Sequence, residues 1–172
     1  ALARGEYLAI YMLGFGFSLG LQVMIARRNG EQRYEETGRT FFQGLLFLSG
    51  LAMFLSLASY ILSPVILRYF IRSPEIYNAA VDYLTWRCFG LLFSFPFLAF
   101  RSFFVGITKT RVLSWAAIMA VLINIPCNYL FIFSLNLGIS GAAMASSLAE
   151  AGSLLILVIY TFLKMDKENL GL

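Results

Sequence analysis

The stretch Arg111–Lys164, RVLSWAAIMAVLINIPCNYLFIFSLNLGISGAAMASSLAEAGSLLILVIYTFLK, decides the fold. Between its two terminal bases the only Asp, Glu, Lys or Arg is Glu150. That is too apolar for a water-soluble domain and too long for one helix. The break NLGISG, Asn136 to Gly141, divides it into two runs, roughly 112–135 and 141–163. The first carries Asn124, Pro126 and Asn128. The second opens on small residues (GAAMASS) and carries Glu150. The reading is two antiparallel membrane-spanning helices with a polar seam between them.

Working outward, the same texture covers the chain. Only 13% of the 172 residues are charged, against roughly 25% in a soluble domain, and the mean hydropathy is +0.79. Uncharged runs of about 18 residues or more mark transmembrane helices. Tyr7–Ala26, Thr40–Leu67 and Val112–Ala149 qualify. The expected class is an all-α polytopic membrane protein with five transmembrane helices, at about 6–26, 41–70, 81–106, 112–135 and 141–163, forming a single bundle over 1–172. A membrane β-barrel would alternate apolar and polar residues instead.

The net charge of +4 does not point to nucleic acid, because the bases cluster at helix ends, as in membrane proteins. Cys88 and Cys127 lie singly in apolar runs, without the spacing of a disulfide or zinc framework. The chain begins at Ala1 without a signal-peptide pattern, and reads as a piece of something longer. In the first span Gly16 and Gly20 form a GxxxG pair, read as a helix-packing device. Gln22 there either hydrogen-bonds a neighbouring helix or lines a cavity. Glu31 to Thr40 is read as a solvated loop, with a helix lying at the interface as the alternative. Ile71 to Ala80 is read as a loop punctuated by Pro74. Arg87 and Arg101 are expected to snorkel from the ends of the third span.

With five spans alternating sides, nine bases (Arg27, Arg28, Arg33, Arg39, Arg101, Lys109, Arg111, Lys164, Lys167) fall on one side and four (Arg4, Arg68, Arg72, Arg87) on the other. The positive-inside rule puts the nine, and the C-terminal tail, in the cytoplasm. The expected location is the cytoplasmic (inner) membrane of the cell, multi-pass.

Depth below the outer turn follows from about 1.5 Å per residue. Asn128 and Ser146 then lie at one level, about 8–10 Å down, and Asn124 and Glu150 at another, about 14–16 Å down. Each pair on one helix is spaced i, i+4, so both members share a face. Pro126 frees the Leu122 carbonyl. Amide oxygens, a hydroxyl, a free carbonyl and a carboxylate suit Na⁺ or a proton relay, and an ionisable group in the membrane is a functional suspect. The plainer alternative is polar glue for the hairpin.

Three stretches carry a resemblance. NIPCNYLFIFSLNLGISGAAMASSLAEA resembles the fifth and sixth helices of the multidrug and toxic compound extrusion (MATE) transporters. GFSLGLQVMIARRNGEQRYEETGRTFFQG is similar to their second helix and following loop, and YLTWRCFGLLFSFPFLAFRSFFVGITKTR to their fourth helix and cytoplasmic turn. The resemblance implies that the chain is helices two to six of one six-helix lobe, the first, of a twelve-helix transporter shaped like an inverted V. It implies a cation site at Asn124, Asn128, the Ala142 carbonyl and Ser146. The family's acidic ligand on helix one has no counterpart here. Glu150 is not a standard member of that site; its role as a proton or cation relay is an inference from its own position.

The function so implied is part of a cation-coupled (Na⁺ or H⁺) multidrug efflux antiporter working by alternating access. Its partners would be cationic or amphipathic drugs, the lipid bilayer, and the missing helix one and second lobe. No cofactor is expected beyond the coupling ion, no metal beyond a Na⁺, and no nucleic acid. The alternative is a lipid-linked oligosaccharide flippase of the same superfamily, against which the helix-end positions of Arg87 and Arg101 argue. A membrane transferase enzyme is remote, because no histidine, paired carboxylates or nucleophile elbow is present.

Overall fold

A computed structural model describes residues 2–164; the expected cytoplasmic tail after Lys164 lies outside the described residues. Five long helices account for nearly all of it: α1 (Leu2–Gly30), α2 (Tyr34–Phe70), α3 (Pro74–Gly106), α4 (Arg111–Asn128) and α5 (Gly138–Lys164). All five are long and apolar enough to cross a membrane, α4 by way of the π-helical turn Tyr129–Ser134 that extends it.

The helices outrun the apolar stretches. Residues 31–40 are mostly the start of α2, not a separate interfacial segment or a loop. The α1–α2 connection shrinks to a tight turn, with Gln32 at φ 59°. Arg27 Nε donates to Glu31 Oε1 across it at 3.0 Å, and Arg28 donates to the Glu36 carbonyl at 3.2 Å and to the Thr40 hydroxyl. The expected loop at 71–80 reduces to Ile71–Ser73, because Pro74 starts α3. Proline suits a helix's first turn, where its missing N–H bonds nothing and its φ is preset. The expected break at 136–141 is also shorter: α5 begins at Gly138, with Asn136 (φ 53°) and Gly138 (φ 55°) reversing the chain in left-handed geometry.

The third helix is the hub. Its most apolar stretch is 61% buried within the bundle, against 6% for α4. It packs on α1, α2 and α5, and α5 holds α4. Towards its Gly106 end lies an aromatic core, in which the Phe41 ring meets those of Phe103 (4.5 Å) and Phe100 (5.0 Å). Phe95, Phe103 and Phe104 are wholly buried.

Close approach to this hub runs through particular glycines. A Cβ on Gly14 would sit 2.5 Å from the Phe95 ring, and one on Gly106 2.5 Å from Ile25. Gly16 and Gly20 take no part: nothing lies within 4 Å of where their Cβ atoms would be. The expected GxxxG packing is therefore absent among the described residues, and Gly14, on the opposite side of α1, does that work.

Some hydroxyls on the spans are satisfied within their own helix: the half-buried Ser146 and Ser147 and the buried Thr161 each donate to the carbonyl four residues back. This lets a helix carry hydroxyls through an apolar medium. Ser102 instead bridges helices, donating to the Ser18 carbonyl at 2.6 Å.

Candidate functional site

Away from the aromatic core, towards the end with the α2–α3 and α4–α5 connections, α1, α3 and α5 enclose a polar junction. Its centre is Glu150. Its Oε1 lies 3.0 Å from Arg87, and its Oε2 accepts a 2.5 Å hydrogen bond from Ser94. The Arg87 guanidinium rests on the Tyr7 ring, 4.1 Å from its centroid, a stacking that suits a weakly hydrated planar cation. The inner Arg87 nitrogen nearest Glu150 is buried, yet it is not aligned for a hydrogen bond. The contact is an ion pair held by charge and not by bond direction.

Gly90 makes room for the carboxylate between α3 and α5. A Cβ there would stand 2.7 Å from Ser147 Oγ and 3.3 Å from Glu150 Oε2. On the other side of α5, Gly152 receives the Ile123 side chain of α4, and Ser153 donates to the Ala116 carbonyl at 3.2 Å. A Cβ on Gly141 would stand 2.9 Å from the Phe131 backbone, so the two helices approach closely there. The small-residue face of α5 thus draws the hairpin together while Glu150 points to α3.

Two cavities flank the junction. One, of about 350 Å³, is lined by Tyr7, Tyr11, Arg87, Ser94, Phe97 and Glu150, together with Arg4, Leu8 and Tyr83. The other, of about 450 Å³, lies along the α4–α5 seam and is lined by Asn124, Ser146, Glu150, Ser153, Arg87 and Phe97. Arg87, Phe97 and Glu150 belong to both, so they form the partition between them.

The structure brings Asn124, Ser146 and Glu150 around one cavity. Asn128 and Ala142 are not among its lining residues. Asn128 Nδ2 donates to Asn124 Oδ1 at 2.7 Å and so turns that amide's oxygen along the helix. The Ala142 carbonyl accepts the Ser146 hydroxyl at 3.0 Å, leaving the Ser146 oxygen lone pairs free. The π-helical turn starts directly after Asn128. Such turns break the regular face pattern, and a count from the outer turn at α-helical rise does not carry across it. Gln22 is half-buried on α1 and lines neither cavity; at α-helical rise it stands roughly 22 Å along α1 from Tyr7.

Arg87 does not snorkel to the interface. Its side chain is 15% exposed and turned inward, because a carboxylate of opposite charge lies on the facing helix. Arg101 likewise turns inward, over the Phe15 ring at 5.5 Å, with one buried nitrogen lacking a hydrogen bond. Both arginines thus bring charge into the bundle, and their positions at the helix ends do not speak against a charged cavity. Sequence reasoning also passed over Ser94 and Tyr7. The available signal was Glu150 itself, since a membrane carboxylate needs a counter-charge and Arg87 was the inward candidate of its neighbour. A second polar node went unread as well: Ser63 donates to Glu6 at 2.6 Å and lies 3.1 Å from Ser59, joining α1 to α2.

The MatE family model matches residues 7–130. Protein DETOXIFICATION 49 of Arabidopsis thaliana is 29% identical over 157 residues, covering 87% of this chain and 30% of that protein. A probable multidrug resistance protein NorM of Idiomarina loihiensis is 25% identical over 165 residues, covering 94% and 36%. Multidrug and toxin extrusion protein 1 of Oryctolagus cuniculus is 27% identical over 150 residues, covering 86% and 26%. The chain spans about a third of the length of these relatives. Among solved structures, that of the eukaryotic MATE transporter AtDTX14 superposes with a TM-score of 0.88 over 99% of this chain and 38% of its own, at 20% identity. An inward-facing multidrug resistance MATE family transporter gives 0.86 over 97% and 39%, at 19% identity. At such identities the structural likeness speaks for the fold alone, but the family match covers most of the chain. The chain belongs to the MatE family.

Proposed function

We propose that this chain is part of a cation-coupled multidrug efflux antiporter of the cytoplasmic membrane, completed by a further helix and a second lobe. The observation that carries the reading is the seam cavity, where Asn124, Ser146 and Glu150 present an amide, a hydroxyl and a carboxylate from two adjacent helices. Hard oxygen donors in a low-dielectric site suit Na⁺ or a proton. Arrival of the ion would favour one arrangement of the lobes and bias them to rock. Drugs would enter between the lobes, on the side where Tyr7, Tyr11 and Phe97 line the first cavity. The names of the relatives, multidrug resistance and toxin extrusion, support that substrate class. They do not favour the flippase reading, although Arg87 gives the cavity the charge that reading asks for.

The test is Na⁺- and H⁺-dependent drug efflux by the whole transporter carrying Asn124→Ala or Asn128→Ala. Asn124→Ala is expected to abolish the dependence. Asn128→Ala, which removes only the residue that orients Asn124, is expected to weaken it. Unchanged ion dependence in both overturns the site.

A further inference from the structure

The partition between the two cavities is a salt bridge, and that fact bears on coupling. Glu150 is open to the seam cavity on one side and to the aromatic cavity on the other. Arg87 is open to both as well. The ion pair that joins them is 3.0 Å long but has no aligned hydrogen bond from the inner nitrogen, whereas Ser94 holds the other carboxylate oxygen at 2.5 Å. The carboxylate is therefore anchored, and the guanidinium is the exchangeable partner. What holds Arg87 otherwise is the face of Tyr7, which restrains a planar cation in one dimension and leaves it free to slide.

The geometry points to Arg87 as a tethered cation that competes with the coupling ion for Glu150. This rests on the reading of the seam as the ion site. When a Na⁺ or a proton reaches Glu150 from the seam, it satisfies the carboxylate and Arg87 loses its counter-charge. The freed guanidinium is then an unpaired positive charge in the aromatic cavity, where it repels a cationic drug and expels it. When the ion leaves, Arg87 returns to Glu150 and the cavity again accepts a cation. Ion and drug thus exclude each other without touching the same atom, and the ligand class so selected is an organic cation with an aromatic or otherwise polarisable body. The other charged or titratable groups facing the junction are Arg4, Tyr7 and Tyr11 from α1, and Tyr83 and Arg101 from α3; α4 presents Asn124, which does not titrate.

The test reads the guanidinium directly in the unmutated whole transporter. Phenylglyoxal labelling of Arg87 is followed by mass spectrometry as a ratio to labelling of Arg111, which is exposed at the start of α4. One arm compares NaCl with choline chloride at fixed pH; the other lowers the pH stepwise in choline. In parallel, binding of tetraphenylphosphonium is measured under the same conditions. The expected result is a several-fold rise of the Arg87 ratio in one arm, matched by weaker tetraphenylphosphonium binding in that arm, which identifies the ion. Glu150→Gln is expected to give the high ratio and the weak binding in every condition, and Arg87→Gln/Glu150→Gln to recover binding and lose ion sensitivity. A constant Arg87 ratio in both arms, with ion and tetraphenylphosphonium still competing, overturns the tethered-cation role and leaves the seam standing. Absence of competition in both arms overturns both.

Discussion

Removing both members of the Arg87–Glu150 pair is expected to cost less than the sum of removing each alone. Two unit charges 3.0 Å apart attract by about 5.5 kcal/mol at an effective dielectric of about 20. The side chains keep 15% and 27% of their exposure and face two cavities, so water screens the pair, and we take about half, roughly 2–3 kcal/mol, as the coupling. Arg87→Met leaves an uncompensated carboxylate beside Ser94 and is expected to destabilise by about 3 kcal/mol. Glu150→Gln keeps an acceptor for Ser94 but strands the guanidinium, for about 2 kcal/mol. If the coupling is real, Arg87→Met/Glu150→Gln costs about 2–3 kcal/mol and not the sum of about 5. The assay is reversible denaturant unfolding of the whole transporter and its three variants in one detergent. Strictly additive single costs, within about 0.5 kcal/mol, would refute the claim that these charges hold each other.

Other outcomes follow from the packing. Gly14→Leu forces a side chain into the wholly buried Phe95 ring, and is expected to lower stability by about 1–3 kcal/mol. By contrast Gly16→Ala and Gly20→Ala meet open space and gain helix propensity, so each is expected to be neutral or stabilising by up to about 1 kcal/mol in the same unfolding measurement. Ser153→Ala removes the α4–α5 bridge to Ala116 and is expected to cost about 1 kcal/mol. At the α1–α2 turn, the Arg27 hydrogen bond, then the charges of Arg27 and Arg33, hold the exposed Glu31 carboxyl below its usual range. A lowered folded-state value means the turn's contribution is present above the ordinary carboxylate range and is lost as pH falls through the lowered value. Carbon-13 titration of Glu31 is expected to shift upward in Arg27→Gln; an unmoved titration contradicts the assignment.

The five helices were legible because lipid imposes one requirement on every residue of a span, and Arg111 to Lys164 meets it with a single acid. The ends were less legible. Residues 34–39 and 74–80 are polar enough to read as loops but are helical, since a helix continuing into water needs no apolar composition. The packing glycines were not legible at all. Gly14 and Gly16 look alike in sequence, and only the position of Phe95, 81 residues on, makes one indispensable and the other free.

The candidate site was half legible for a related reason. Asn124, Ser146 and Glu150 announce themselves because each is out of place in hydrocarbon, and the structure puts them around one cavity. Arg87 did not, because a base within a turn of an aromatic at a span's edge has an easy explanation in snorkelling. What decides between the two fates is the register of another helix. Gly90, one turn further along α3, lets α5 come near enough for Glu150 to reach in, and the cost of leaving that carboxylate alone then outweighs the cost of drawing the guanidinium from the interface. Burial of Arg87 is therefore a consequence of Glu150 and Gly90 together. Gly90→Val, which would push Glu150 away, is accordingly expected to return Arg87 to solvent even though neither charge has been altered, and faster phenylglyoxal labelling of Arg87 in that variant is the sign to look for.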